Sequence, residues 1–374
     1  MMHNPEIRDM VVVGGGLVGA SLAWGLAREG VSTLVLDGDD LDLRASRANF
    51  ALVWVQGKGL GAPDYALWSQ TAAGCWPEFA TELAADSGID VGLSQRGGFS
   101  FALSDRELEQ LASEMVRIRS ETGVRAASYE VLDAVATRVR LPHVGPDVVG
   151  SIYSRADGHV NALRLFRALH VAMTARGVEY RAHHAVSDIA AVSNGFRLSG
   201  NWGSVLARRV VLAAGLDNQR LAPMLGLHAP MKRSKGQILV TEKCRPFFDH
   251  VSATIRQTDE GGVMIGDSEE TGTESIMTDQ DISAVLAHRA IRVFPCLSEA
   301  NVLRSWTGFR IKTMDGMPIY EQSERHPGAF LASCHSGVTL ASNHMLRVAP
   351  MIAAGALAPE LAPFHSRRFH VQAH

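Results

Sequence analysis

Cysteine is scarce in this chain. Four of 374 residues are cysteine (Cys75, Cys244, Cys296, Cys334), widely scattered and without a Cys-x-x-Cys pair. A disulfide framework and a zinc centre are therefore not expected, no metal is assigned, and a reducing cytoplasm is the expected compartment. Charge of one sign is lacking too: 36 Lys and Arg face 39 Asp and Glu, for a net −3, with no basic block. That excludes the electrostatic footprint of nucleic-acid binding. Long apolar runs are confined to one place, Met10 to Ala27, which is free of charge. It holds five glycines, and the preceding NPEIRDM lacks the positive charge of a signal peptide, so membrane insertion is not expected. No repeat or low-complexity tract is evident. What remains, 46% hydrophobic and 20% charged residues, is ordinary for a globular chain of two domains or one large one.

The glycines of that apolar run have a spacing. Met10 to Val13 reads as a strand, followed by Gly14-x-Gly16-x-x-Gly19, a helix to Glu29, a stop at Gly30, and a second strand ending on Asp37. Gly14 permits a tight turn, Gly16 lets backbone approach a pyrophosphate, and Gly19 lets helix and strand pack closely. Leu17 and Val18 open the helix, whose free N–H groups and positive dipole end suit phosphate. Asp37 lies 18 residues beyond Gly19, where a carboxylate accepts from a ribose hydroxyl. This is a dinucleotide site. Gly57-x-Gly59-x-Gly61 looks like a second phosphate loop, but no acid-terminated strand follows it, so an active-site loop is the preferred reading.

Phe50 to Val55 reads as a strand, Tyr65 to Ala85 and Glu107 to Thr122 as helices, and Leu163 to Gly177 as a helix with its C-cap glycine. Leu206 to Gly215 is a buried strand ending in small residues. QILVTE, HVSATIR and GGVMIG between residues 235 and 266 suggest an antiparallel sheet. Ala329 to Ser333 is another strand, followed by a helix predicted from Val338 that loosens at Pro350. The order predicts an α/β fold (α+β overall). A Rossmann-like nucleotide domain is assembled from residues 1–85, 145–225 and 322–374. A substrate domain with a mostly antiparallel sheet takes residues 86–144 and 226–321.

Across nearly its whole length the chain resembles the D-amino-acid oxidase, glycine oxidase and sarcosine oxidase family of flavoproteins. The resemblance rests on the fingerprint, the Arg44–Asn49 loop, VVLAAG at 210–215, TGFRIKTMDGMP at 307–318 and SCHSGVTLA at 333–341. It implies FAD, with Asp37 on the adenosine ribose. Arg44, Ser46 and Asn49 would lie on the loop at the pyrophosphate and flavin side, and Val186 would offer backbone to adenine. Ala214 and Gly215 would line the crevice, and Gly337, Val338 and Thr339 would meet the pyrimidine edge of the flavin. A helix start there would stabilise the negative charge of the reduced ring. Sarcosine-oxidase-type enzymes carry a flavin-linking cysteine in the segment corresponding to Thr307–Thr313. None is present here, so non-covalent FAD is expected, with Cys334 a buried free thiol.

The resemblance also implies that Arg310, shortly before Asp315-Gly316-Met317-Pro318, grips the substrate carboxylate with its guanidinium fork. Its ordinary alternative is an interdomain ion pair. His335 would lie beside the flavin edge as a proton acceptor or carboxylate partner, or be merely structural. Lys58 would face the ring or a second carboxylate. Lys232, Arg233 and Lys235 read better as a solvated turn than as dicarboxylate ligands. Cys-His-Ser-Gly-Val-Thr-Leu and Arg-Ala-Ser-x-Ala-Asn are most similar to flavin subunits of opine oxidases and to the beta subunits of D-hydroxyproline dehydrogenase and hydrogen cyanide synthase. That similarity implies hydride transfer from a secondary-amine amino acid, an opine such as octopine or nopaline, to flavin N5, with companion redox subunits as partners. Two alternatives stay open: a self-sufficient oxidase of glycine, sarcosine or D-amino acids, and a flavin-binding subunit without turnover.

Overall fold

The computed structural model describes residues 7–39, 44–123 and 128–369. Its first sheet runs Ile319–Gln322, Ala329–Ser333, Gly203–Leu212, Ile7–Val13, Thr33–Leu36, Glu179–Arg181. The last five are parallel, and Ile319–Gln322 joins the edge antiparallel. A parallel sheet must be covered on both faces, which is why VVV, TLVL and AFLAS are apolar without alternation. Helices Leu17–Arg28, Pro63–Ser87 and Ala162–Ala175 cover one face, with Trp24, Trp76 and Phe79 fully buried. The hairpin Asp188–Val192/Gly195–Gly200 extends this sheet by antiparallel pairing with Gly203–Leu212, and its apolar residues pack with residues 221–231 against the other face.

The second sheet runs Val302–Thr313, Met231–Lys243, Gly262–Ile265, Ile255–Gln257, Val251–Ser252, Gly98–Ala102, Gly150–Ser154, Tyr129–Asp133. Only the Val251–Ser252 and Gly98–Ala102 pair is parallel. Gly150–Ser154, which the expected boundaries give to the nucleotide unit, is hydrogen-bonded on both sides within this second sheet. Ile319–Gln322, mostly assigned to the substrate unit, pairs in the first sheet.

Four elements differ from their sequence reading. The strand expected over Phe50–Val55 shrinks to Leu52–Val53, because Asn49 Oδ1 accepts from Ala51 N and Ala51 takes a left-handed φ of 64°. HVSATIR breaks in two, since Ser252 Oγ accepts from Thr254 N and Ile255 N in a tight turn. The helix predicted from Val338 becomes regular only at Ala341, after a turn closed by Leu340 N donating to Ser336 O. It then widens to a π-helix over His344–Val348 before ending at Gly355. Pro350 explains the widening, as it has no N–H to continue the ordinary ladder. Residues 231–243 form one strand, so Lys232, Arg233 and Lys235 are not on a turn.

Candidate active site

The fingerprint folds as its glycines require. Gly14 has φ 103°, and a Cβ on it would lie 2.5 Å from the Ala213 carbonyl oxygen. A Cβ on Gly19 would lie 1.8 Å from Gly14 O, and one on Gly16 would lie 2.8 Å from Ser46 Oγ. Gly16 is the N-cap of the Leu17–Arg28 helix, which has no side-chain cap from that residue and no acid in its first turn. Leu17 N instead donates to Ser46 Oγ at 3.0 Å, so the Arg44–Asn49 loop comes onto the helix start. Helix dipole, bare glycine backbone and a hydroxyl converge there, a donor set that fits a pyrophosphate.

Asp37 is buried at the end of the second strand. Its carboxylate accepts from Arg44 Nη1 at 2.6 Å, Arg44 Nη2 at 3.1 Å and Tyr180 Oη at 3.0 Å. Arg44, expected toward the pyrophosphate, thus lies against Asp37, because a desolvated carboxylate is best matched by a bidentate guanidinium. Tyr180 had no sequence signal; it is 143 residues from Asp37 and reaches it across neighbouring parallel strands. Asn49 spends its amide inside its own loop, donating to Ser46 O and accepting from Ala51 N. The Val186 carbonyl accepts from Arg220 Nη2 at 3.0 Å. Ala214 N donates to Asn218 Oδ1, and Gly215, with φ 63°, lies against Ile311 of the second sheet.

At the other end of the cleft the turn after Ala329–Ser333 meets the first helix. A Cβ on Gly337 would be 3.7 Å from Leu17 and 3.9 Å from Val18. Thr339 Oγ1 accepts from Lys58 Nζ at 2.9 Å and Trp54 N at 3.2 Å, and donates to Leu52 O. Val338 is buried beside it. Burial pushes the Lys58 amine down to about 8, against the opposing pull of Asp157 and Cys334. Asp157, fully buried, accepts from Val55 N at 2.5 Å and Gln56 Nε2 at 2.6 Å, and burial raises it to about 7. Tyr65 Oη and Ser336 Oγ share a 2.8 Å hydrogen bond that pins the turn. Cys334 is a buried free thiol, pushed up to about 12 by burial. Asp157 and Tyr65 were missed because their roles depend on distant partners.

The Arg310 side chain enters from the second sheet. Its strand faces the nucleotide loop: a Cβ on Gly308 would lie 2.6 Å from Ala48 Cβ. The Arg310 guanidinium lies over Gly236, where a Cβ would come within 2.5 Å of it. Nη1 donates to Ser268 O at 2.7 Å, and Nη2 is 3.8 Å from Asp267. Lys312, two residues on, donates to Glu269 Oε2 at 2.7 Å. The crowded surroundings of His335 depress its proton affinity first, and the nearby charges of Lys58, Lys312 and Arg310 depress it further. Arg310 and Lys58 thus lie within electrostatic reach of His335, which follows the carboxyl end of the parallel strand Ala329–Ser333, the end at which open α/β sheets bind ligands. Lys235 is turned to the other face, where it pairs with Glu270 at 2.8 Å. Among the described residues no cluster of metal-ligating side chains occurs, and no single helix is long and apolar enough to cross a membrane.

Comparison with known proteins agrees with this geometry. Residues 9–344 match the DAO family, described as FAD dependent oxidoreductase. The chain is 64% identical to a subunit of the opine oxidase of Agrobacterium tumefaciens (strain Ach5), over 97% of this chain and 98% of that protein. It is 62% identical to the corresponding opine oxidase subunit of Rhizobium meliloti, with the same coverage. The crystal structure of glycine oxidase from Geobacillus kaustophilus superposes with a TM-score of 0.87 at 25% identity, covering 96% of this chain and 98% of that one. The chain belongs to the DAO family of FAD-dependent oxidoreductases.

Proposed function

We propose that the protein oxidises the carbon–nitrogen bond of a secondary-amine amino acid, an opine such as octopine or nopaline, or D-hydroxyproline. The observation that carries this reading is the Arg310 fork, anchored on Ser268 O above Gly236 and acting, like Lys58, on His335. The likeness to the opine oxidase subunits supports it. FAD, when bound, supplies the acceptor for the two electrons leaving the amine. Gly14, Gly16, Leu17, Val18, Gly19 and Ser46 would hold its pyrophosphate, Asp37 its ribose, Val186 its adenine, and Gly337 to Thr339 its flavin edge. Arg310 binds a carboxylate and so orients the carbon–hydrogen bond, which is catalysis by positioning. His335, kept neutral, accepts a hydrogen bond from the substrate amine. Lys58, held by Thr339, adds positive charge at the flavin edge. The imine product hydrolyses with water.

The cofactor is held without a covalent link, since Thr307–Thr313 has no cysteine and Cys334 is buried. We read the chain as the flavin-bearing member of a hetero-oligomer, because its opine oxidase relatives are themselves named as subunits, and place it in the cytoplasm on its four free cysteines. The test is product analysis with an artificial electron acceptor. A keto acid and a free amino acid should appear in equal amounts from an opine. An opine left intact by FAD-loaded protein, with acceptor and companion subunits supplied, would refute the reading. The likeness to glycine oxidase favours a second reading, direct use of oxygen, and stoichiometric hydrogen peroxide from the chain alone would select it.

A further inference from the structure

We propose that Lys312 and Ser234 form a second carboxylate subsite beside Arg310, so that the cleft selects amines flanked by two carboxylates. This rests on the amine-oxidising reading of the site and assigns residues to the second carboxylate that octopine and nopaline carry. Arg310 and Lys312 are alternate residues of one strand, hence on one face with Cα atoms roughly 6.6 Å apart. Ser234 stands directly opposite Arg310 on the neighbouring strand. On one side the next pair along that face is Gly308 opposite Gly236, over which the Arg310 guanidinium lies, and on the other side it is Lys312 opposite Lys232.

A carboxylate already sits in the subsite. Glu269 accepts from Lys312 Nζ at 2.7 Å with one oxygen and from Ser234 Oγ at 3.1 Å with the other. Lys312 holds that carboxyl below its usual range. Glu269 is exposed on the loop after Gly262–Ile265, so it can leave without disturbing either sheet. A ligand carboxylate replacing it would meet the same ammonium and the same hydroxyl.

The local charge agrees. Lys58, Arg310 and Lys312 all act on His335, while Asp267 and Glu269 are the acids of the same cleft. Of these groups the three cations exceed the two acids by one charge, and displacing Glu269 from Lys312 leaves two positive charges for a substrate to match. An N-carboxyalkyl amino acid, with a carboxylate on each side of one nitrogen, matches them.

The test uses ligands that cannot be oxidised, because an ether oxygen replaces the amine nitrogen. Diglycolate carries two carboxylates and methoxyacetate one. Their affinities for the FAD-loaded protein are measured by calorimetry in wild type, Lys312→Gln and Glu269→Gln. Wild type should prefer diglycolate by tenfold or more. Lys312→Gln should abolish that preference while changing methoxyacetate binding less than twofold, and Glu269→Gln, which removes the internal competitor, should widen it. Equal affinities in wild type, or an equal loss for both ligands in Lys312→Gln, would overturn the subsite while leaving amine oxidation intact. Failure of amine oxidation itself shows separately, as a flavin that no amine reduces.

Discussion

Gly236 shows how one residue sets the site. It is a strand glycine whose missing side chain leaves room for the Arg310 guanidinium, and a methyl group there would come within 2.5 Å of it. Gly236→Ala should therefore leave FAD bound and lower kcat/KM for a carboxylated amine by ~10–100-fold, the cost of misplacing a positioning group. Steady-state kinetics alongside the flavin spectrum check this, and unchanged kinetics would mean that Arg310 is not where the substrate binds. Lys58 makes a second case. Burial lowers its amine to about 8, so its charge is present below that pH and lost above it. Affinity for a non-titrating dicarboxylate such as diglycolate should fall as pH rises from 7 to 9. In Lys58→Met that fall should be absent. An identical pH profile in the variant would assign the titration elsewhere.

At the scale of elements, local chemistry carried much of the reading. The fingerprint strand, turn and helix, the Pro63–Ser87 and Asp105–Thr122 helices, and the Ala329–Ser333 strand follow from apolar period, glycine stops and caps. Ser104, for instance, caps its helix by accepting from Glu107 N. The readings that moved did so where a side chain competes with the backbone ladder or an N–H is missing. Asn49 cuts short the strand expected at Phe50, Ser252 splits another, and Pro350 is preceded by a π-helix. Lys312 was legible in principle, because its alternation with Arg310 on a strand places both on one face. Its partner Glu269 was not, since nothing local says which loop folds over that face.

The whole molecule explains the rest. The site is formed where the carboxyl ends of one sheet meet a face of another, so its contacts span the chain: Lys58 reaches Thr339 across 281 positions, and Tyr180 reaches Asp37 across 143. The family resemblance singled out Arg310, His335 and Lys58 one by one, whereas their approach to one another depends on how the two sheets dock. That docking is itself tight, with Gly308 against Ala48 and Gly215 against Ile311. One claim stands above the others, that this cleft holds FAD and delivers to it the electrons of a carboxylated secondary amine. The direct test is an anaerobic absorbance titration of the FAD-loaded protein with octopine, nopaline, D-hydroxyproline and sarcosine in turn. The expected result is an oxidised-flavin spectrum that bleaches with at least one amine carrying two carboxylates. A chain that takes up no flavin, or a flavin band that no amine bleaches, would contradict the claim.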